Sequence, residues 1–264
     1  AAGNISAASS ALSLTIDTNS PVPSNAWTTK AGGSSIDRGY GITSLSDGSS
    51  IVTGRFTGTA SFGDITLTSA GSVAFIAKRN ADGSYAWAKK AGVSGYNNGL
   101  DITSLSDGTS IVTGKFEGTA SFGDTTLTSA GSEDVFIAKL NADGTFAWAT
   151  KAGGSSIDYG KDITSLSDGS SIVTGYFNGS ASFGDTTLTS AGGEDVFIAK
   201  LNADSTFAWT TKAGGSSDDR GYGITSLSDG SSIVTGGFSG TASFGDTTLT
   251  SAGGDDVFIA KLNA

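Results

Sequence analysis

The chain has 264 residues, with 25 Asp and Glu against 15 Lys and Arg, no His, Cys or Met, and a formal net charge of −10. An acidic surface repels phosphate backbones and offers anionic lipid no basic patch, so neither nucleic acid nor membrane insertion is expected. Without imidazole or thiol there is no thiol nucleophile, imidazole base, disulfide or soft metal site.

The first 25 residues (AAGNISAASSALSLTIDTNSPVPSN) are small and polar. Leu12, Leu14 and Ile16 alternate with polar residues, which predicts a strand, and Pro21 and Pro23 then hold the chain extended. This stretch reads as an arm plus linker, with the strand laid on its own domain or donated to a neighbouring subunit. The start at Ala-Ala-Gly fits signal-peptide cleavage, or equally trimming. Asn4 and Asn178 sit in short glycosylation-type triplets.

From residue 26 onward the chain is a repeat. Trp27, Trp87, Trp148 and Trp209 are spaced 60, 61 and 61 residues apart, giving repeats at about 26–85, 86–146, 147–207 and 208–264. A period of this size marks a repeat architecture. The 40 Gly punctuate alternating apolar runs and read as turn residues.

The second copy predicts strands over Ile102 to Leu105, Ser110 to Phe116, Val135 to Leu140 and Phe146 to Ala152, with a small extra hairpin over Ala120 to Ser129. Asp107-Gly108 and Asn141-Ala142-Asp143-Gly144 are its turns. Four antiparallel strands in meander order describe a propeller blade, which must stack on others to bury its faces. Trp148, Phe116, Phe122 and Phe136 are the expected inter-blade packing, with the four Trp read as core.

The repeats begin with a last strand (AWTTKAG, 26–32) and finish with a third strand (DVFIAKLNA, 256–264). Pairing the two would close the ring and remove its open edges. The expected fold is therefore all-β: a four-bladed β-propeller, four antiparallel strands per blade plus a small extra hairpin, closed by the N-terminal strand on the C-terminal blade. A right-handed β-helix is the rival; it has shorter coils and would not predict complementary ends.

GYGITSLSDGSSIVTGRF (39–56), GTASFGDTTLTSAG (118–131), DVFIAKLNADG (134–144) and FAWATKAGG (146–154) resemble the bacterial β-propeller repeat family often called seven-bladed. The resemblance covers 26–264 and implies a propeller, secreted or at the cell surface, without assigning chemistry. This chain has four copies, not seven, so two chains could combine into a larger ring. The first strand also resembles that of NHL-type propellers, which would place Ile42, Ser44, Ile102, Ser104, Ile163, Ser165, Ile224 and Ser226 near the axis.

Columns that vary between copies are candidates for recognition. One column set lies before the first strand: Asp37, Arg38 and Tyr40; Tyr96, Asn97 and Asn98; Asp158, Tyr159 and Lys161; Asp218, Asp219, Arg220 and Tyr222. The other follows the second strand: Arg55; Lys115 and Glu117; Tyr176 and Asn178. Both links emerge at one face of a meander ring, and mixed Tyr, Arg, Asp and Asn there suit a rim that binds a glycan or protein. Neutral variation of solvated loops would look the same.

Glu133-Asp134, Glu194-Asp195 and Asp255-Asp256 could hold Ca²⁺, but the first copy has Val73-Ala74 there, so solvated charge is the preferred reading and no cofactor or metal is expected. Catalysis is not expected either. A hydrolase here would need paired carboxylates or a Tyr nucleophile, and recurring acids such as Asp47 and Asp64 sit in predicted turns. The sequence thus points to a non-enzymatic structural or assembly subunit, secreted or at a cell surface, whose partner is itself through the arm. The alternative is a lectin-like module using the rim.

Overall fold

The computed structural model describes residues 27–92 and 95–264. Asn4 and the arm residues Leu12, Leu14 and Ile16 lie outside the described residues. Every regular element is a β-strand. A two-residue strand β1 (Gly32–Gly33) precedes blade 1, formed by β2 (Arg38–Ser44), β3 (Ser50–Phe62), β4 (Ile65–Arg79) and β5 (Tyr85–Ala91). Blade 2 contains β6 (Asn98–Ser104), β7 (Ser110–Phe122), β8 (Thr125–Leu140) and β9 (Phe146–Gly154). Blade 3 contains β10 (Asp158–Ser165), β11 (Ser171–Phe183), β12 (Thr186–Leu201) and β13 (Phe207–Gly215). Blade 4 has β14 (Arg220–Ser226), β15 (Ser232–Phe238) and β18 (Asp256–Leu262), with β16 (Thr241–Phe244) and β17 (Thr247–Thr250) between the last two.

Within each blade the strands pair antiparallel in chain order. Local chemistry sets the turns. In blade 2, Asp107 Oδ1 accepts the Thr109 amide at 2.9 Å, and Gly108, at φ +80°, donates to Leu105 O at 3.1 Å. The side chain thus closes a turn whose third residue must reach positive φ.

The extra hairpin is not a separate element in the first three blades. It is the far end of the second and third strands, which run on through a register shift between Glu117 and Thr119 and its counterparts. Gly118, at φ +68°, sits inside that shift and lets the ladder bend and continue. In blade 4 the same residues form the separate pair β16–β17. Each tip is held by the preceding outer strand: Gly153 and Gly154 pair with Ser182 and Ala181, and Gly214 and Gly215 with Ser243 and Ala242. Blades 2 and 3 and the β16–β17 tip of blade 4 are thereby sewn into a continuous ladder, while β14, β15 and β18 form a separate three-stranded sheet.

The core lies between blades. Ile51, Ala74 and Ile76 of blade 1 meet Ile102, Val112, Phe116, Phe122 and Phe136 of blade 2. The same packing recurs between blades 2 and 3, where Val135 and Ile137 meet Val173, Phe177, Phe183 and Phe197, and between blades 3 and 4. The phenylalanines expected to pack between blades are fully buried. Of the tryptophans read as core, Trp87 and Trp148 pack against it, whereas Trp27 and Trp209 are exposed. Trp87 and Trp148 are half-buried and cap the next blade, donating Nε1–H to Ala142 O and Ala203 O at 3.1 Å.

The expected ring closure is not made among the described residues. β18 pairs only with β15, residues 27–31 belong to no strand, and no sheet closes. Trp27 and β1 are instead docked on blade 1: Trp27 Nε1–H donates to Ala81 O at 3.0 Å, and Gly32 and Gly33 pair with Ser61 and Ala60. The inner strands agree: they touch in the succession β2, β6, β10 and β14, and among the described residues no comparable contact runs from β14 back to β2.

Candidate interaction site

The inner strands supply one line of polar side chains. Ser104, Ser165 and Ser226 each donate from Oγ to the carbonyl of Ser44, Ser104 and Ser165 respectively, all at 3.0 Å. Ile102, Ile163 and Ile224 are buried between blades, whereas Ile42 is exposed.

Sequence reasoning passed over one pair here. Asp101 and Asp162 occupy the column held by Gly41 and Gly223 in the outer copies. Asp101 Oδ2 accepts the Ile163 amide at 3.1 Å, and Asp162 Oδ2 accepts the Ile224 amide at 2.7 Å. Burial, then the hydrogen bond and charge of Asp162, push the Asp101 carboxyl well above the usual carboxylate range. A Cβ on Gly41 would lie 2.7 Å from Asp101 Cα, so the glycine makes room for the acid of the next blade. The alternation Gly, Asp, Asp, Gly in this column was the available signal.

The variable columns converge on one rim. They face each other across the first two strands of each blade, as Arg38–Arg55, Asn98–Lys115 and Tyr159–Tyr176. From there they reach the next blade. Arg55 of blade 1 donates to the Tyr96 hydroxyl and lies 5.1 Å from that ring's centre. Lys115 of blade 2 places Nζ 2.5 Å from Glu133 Oε1, 2.7 Å from the Tyr159 hydroxyl of blade 3, and 4.1 Å from that ring's centre. Tyr159 donates to the other Glu133 oxygen and packs on Tyr176 at 5.0 Å. Arg220 of blade 4 binds Glu194 of blade 3 and Asp218, the latter at 2.9 Å, and lies 5.6 Å from the Tyr176 ring centre. Lys161 lies 5.9 Å from the same ring.

Burial on this rim perturbs its groups. It pushes the phenols of Tyr159 and Tyr176 above their usual range. It also pulls the Lys161 ammonium down, helped by the charges of Lys115 and Arg220.

Other rim residues hold backbone. Asp158 Oδ2 accepts Gly154 N at 2.7 Å and Oδ1 accepts Asn178 N at 3.3 Å; Asp37 and Asp219 make the same clasp, and Asn97 accepts the Glu117 amide at 3.2 Å. The acidic pairs considered for Ca²⁺ are similarly used. Glu133 and Glu194 neutralise rim cations, while Asp134 accepts Ala130 N at 2.8 Å and pairs with Lys151 at 3.2 Å. Among the described residues no group of three or more carboxylates converges on a point.

Residues 105–146, from the first turn of blade 2 to the start of its outer strand, match the family model of a domain of unknown function, DUF5122, described as a β-propeller. That match agrees with the resemblance read from the repeat. No curated protein matches the chain.

The propeller-type rim therefore splits into two groups. Arg55, Asn97, Asn98, Lys115, Asp158, Tyr176 and Asp219 are buried. Arg38, Tyr40, Tyr96, Glu117, Asp218 and Tyr222 face solvent, and Asp37, Tyr159, Lys161, Asn178 and Arg220 are intermediate. Chemically the rim is a line of cation–aromatic and charge-assisted contacts between blades, in which Tyr96 takes part, with Tyr40 and Tyr222 exposed as flat amphipathic rings.

Proposed function

We propose that this chain is a non-enzymatic structural module, secreted or held at a cell surface, that acts as a subunit of a larger assembly. One observation carries the reading: apolar positions buried in the interior blades are open on β2 and β18 among the described residues. Ile42 is 68% exposed, Val257 73% and Ile259 75%. Large apolar side chains left open where their counterparts are packed suit a contact with a partner. The buried rim side chains support a mechanical role, since their polar atoms are largely engaged in joining blades.

The test is the mass in solution by light scattering across a concentration series, for the whole chain and for a variant lacking residues 1–20. The expected result is a mass well above the 26.1 kDa of one chain. A monomer at every concentration would overturn the reading. Loss of assembly on truncation would assign the contact to the arm, and its persistence to the blade faces.

A second reading is favoured by the exposed Tyr40, Tyr96 and Tyr222: a lectin-like or protein-binding rim. A glycan array probed with the whole chain and with a Tyr40→Ala/Tyr222→Ala variant tests it. Binding that the double substitution abolishes would support a lectin.

A further inference from the structure

We propose that the rim at the junction of blades 1 and 2 binds a carboxylate carried by an external ligand, with Arg55 as its charge partner and Ser72 and Tyr96 as neighbouring hydroxyl donors.

The three junctions between blades each bring together a cation and an aromatic ring. Between blades 2 and 3 these are Lys115 and Tyr159, and both donate to the carboxylate of Glu133. Between blades 3 and 4 they are Arg220 and Tyr176, and Arg220 donates to Glu194. Between blades 1 and 2 they are Arg55 and Tyr96, with the guanidinium 5.1 Å from the ring centre. Here the acid is replaced. Thr57 pairs with Ser72 where Glu117 pairs with Glu133 and Asn178 with Glu194, so Ser72 stands in the column of both glutamates. The two undescribed residues of the adjoining link, Val93 and Ser94, bring no acid.

Arg55 is only 8% exposed. A guanidinium keeps its charge at any ordinary pH, so burial cannot be relieved by losing the proton. A buried charge without a partner is strongly unfavourable. Arg55 donates from Nη1 to the Tyr96 hydroxyl, but its Nε is buried with no hydrogen-bond partner, and among the described residues it pairs with no carboxylate. The Ser72 hydroxyl is likewise buried and unpartnered. Arg38, directly opposite Arg55 across β2 and β3, adds a second guanidinium to the same face.

Unmet donors beside an unmet positive charge call for an acceptor that carries negative charge. The other two junctions show its chemistry, since a carboxylate fills that role in both. A carboxylate also accepts two parallel N–H bonds from the guanidinium fork. The Tyr96 hydroxyl accepts from Arg55 and keeps its own proton to donate, as Tyr159 donates to Glu133. Tyr96 is 41% exposed, so the junction meets solvent at this ring.

The test is the thermal midpoint of the whole chain in acetate, as a free acid, and in an oligomer of galacturonate, as an acid borne on a glycan. Each is compared with chloride at equal ionic strength. The expected result is a saturable rise of ~2–4 °C that chloride does not give. An oligomer that acts at concentrations at least tenfold below acetate, counted per carboxylate, assigns the site to an acidic glycan; a smaller ratio assigns it to a free acid. Ser72→Glu supplies the carboxylate from within the chain, so it should raise the midpoint in chloride and abolish the response. Arg55→Met should abolish the response with the β circular dichroism spectrum retained. Equal wild-type midpoints in acetate, oligomer and chloride would overturn the proposal, as would a response that survives in either variant. Each variant decides alone should the other fail to fold.

Discussion

Lys115 shows what single residues on the rim do. Its side chain is nearly buried, between Glu133 and two tyrosine rings. A buried ammonium is tolerated only when paired. Glu133→Gln removes the counter-charge and should destabilise by ~2–3 kcal/mol in chemical denaturation. Adding Lys115→Met should restore a good part of that loss, because the orphaned charge goes too.

The buried acids set a pH dependence. Burial pushes Asp158 up to about 7, and the charge of Asp134 adds to this. Its folded form therefore holds a proton that the unfolded chain releases near pH 3.8. The stability from that proton is complete below pH 3.8 and lost as pH rises through about 7, with a slope of at most ~1.4 kcal/mol per pH unit per group. Asp101 acts in the same sense. The turn carboxyls of Asp47, Asp107 and Asp168, held below their usual value first by hydroxyl hydrogen bonds from Ser49, Thr109 and Ser170, act oppositely and lose their contribution as pH falls below 3.8. Guanidinium denaturation midpoints should therefore fall between pH 5 and pH 8, and Asp158→Asn should flatten that trend.

At the scale of strands and turns, most of the design was legible. Asp-Gly turns, alternating runs and their 60- or 61-residue recurrence depend on chemistry within a few residues, so they can be read from order alone. The merged tip hairpin could not, because a ladder continuing through Gly118 depends on how the bulge bends. The core packing of Trp87 and Trp148 was legible, but not their place at its edge, because the carbonyl each indole donates to lies 55 residues away in the chain. One turn departs from its siblings. Ser205, at φ +78°, replaces the Gly of Gly83 and Gly144, and it is the only non-Gly residue at positive φ among the described residues. Ser205→Gly should relieve that strain and raise stability by ~1 kcal/mol, read as a higher thermal midpoint.

For the whole molecule, the sequence indicated complementary ends but not whether they meet. That depends on how the blades turn relative to one another, which no short stretch of the chain sets. The repeated interface makes stability close to a sum over neighbours. Removing residues 208–264 should therefore leave a folded three-blade array with β circular dichroism and a lower midpoint. A complete loss of β signal would show that the array folds only as one piece.

Because the interior contacts reuse matching side chains 60 or 61 residues apart, recombination between repeats in the gene can add or delete a copy without creating a new kind of junction. The end faces survive such an event unchanged. An array lengthened or shortened in this way would keep every remaining interface, and its stability would change by about one repeat and one contact between neighbours.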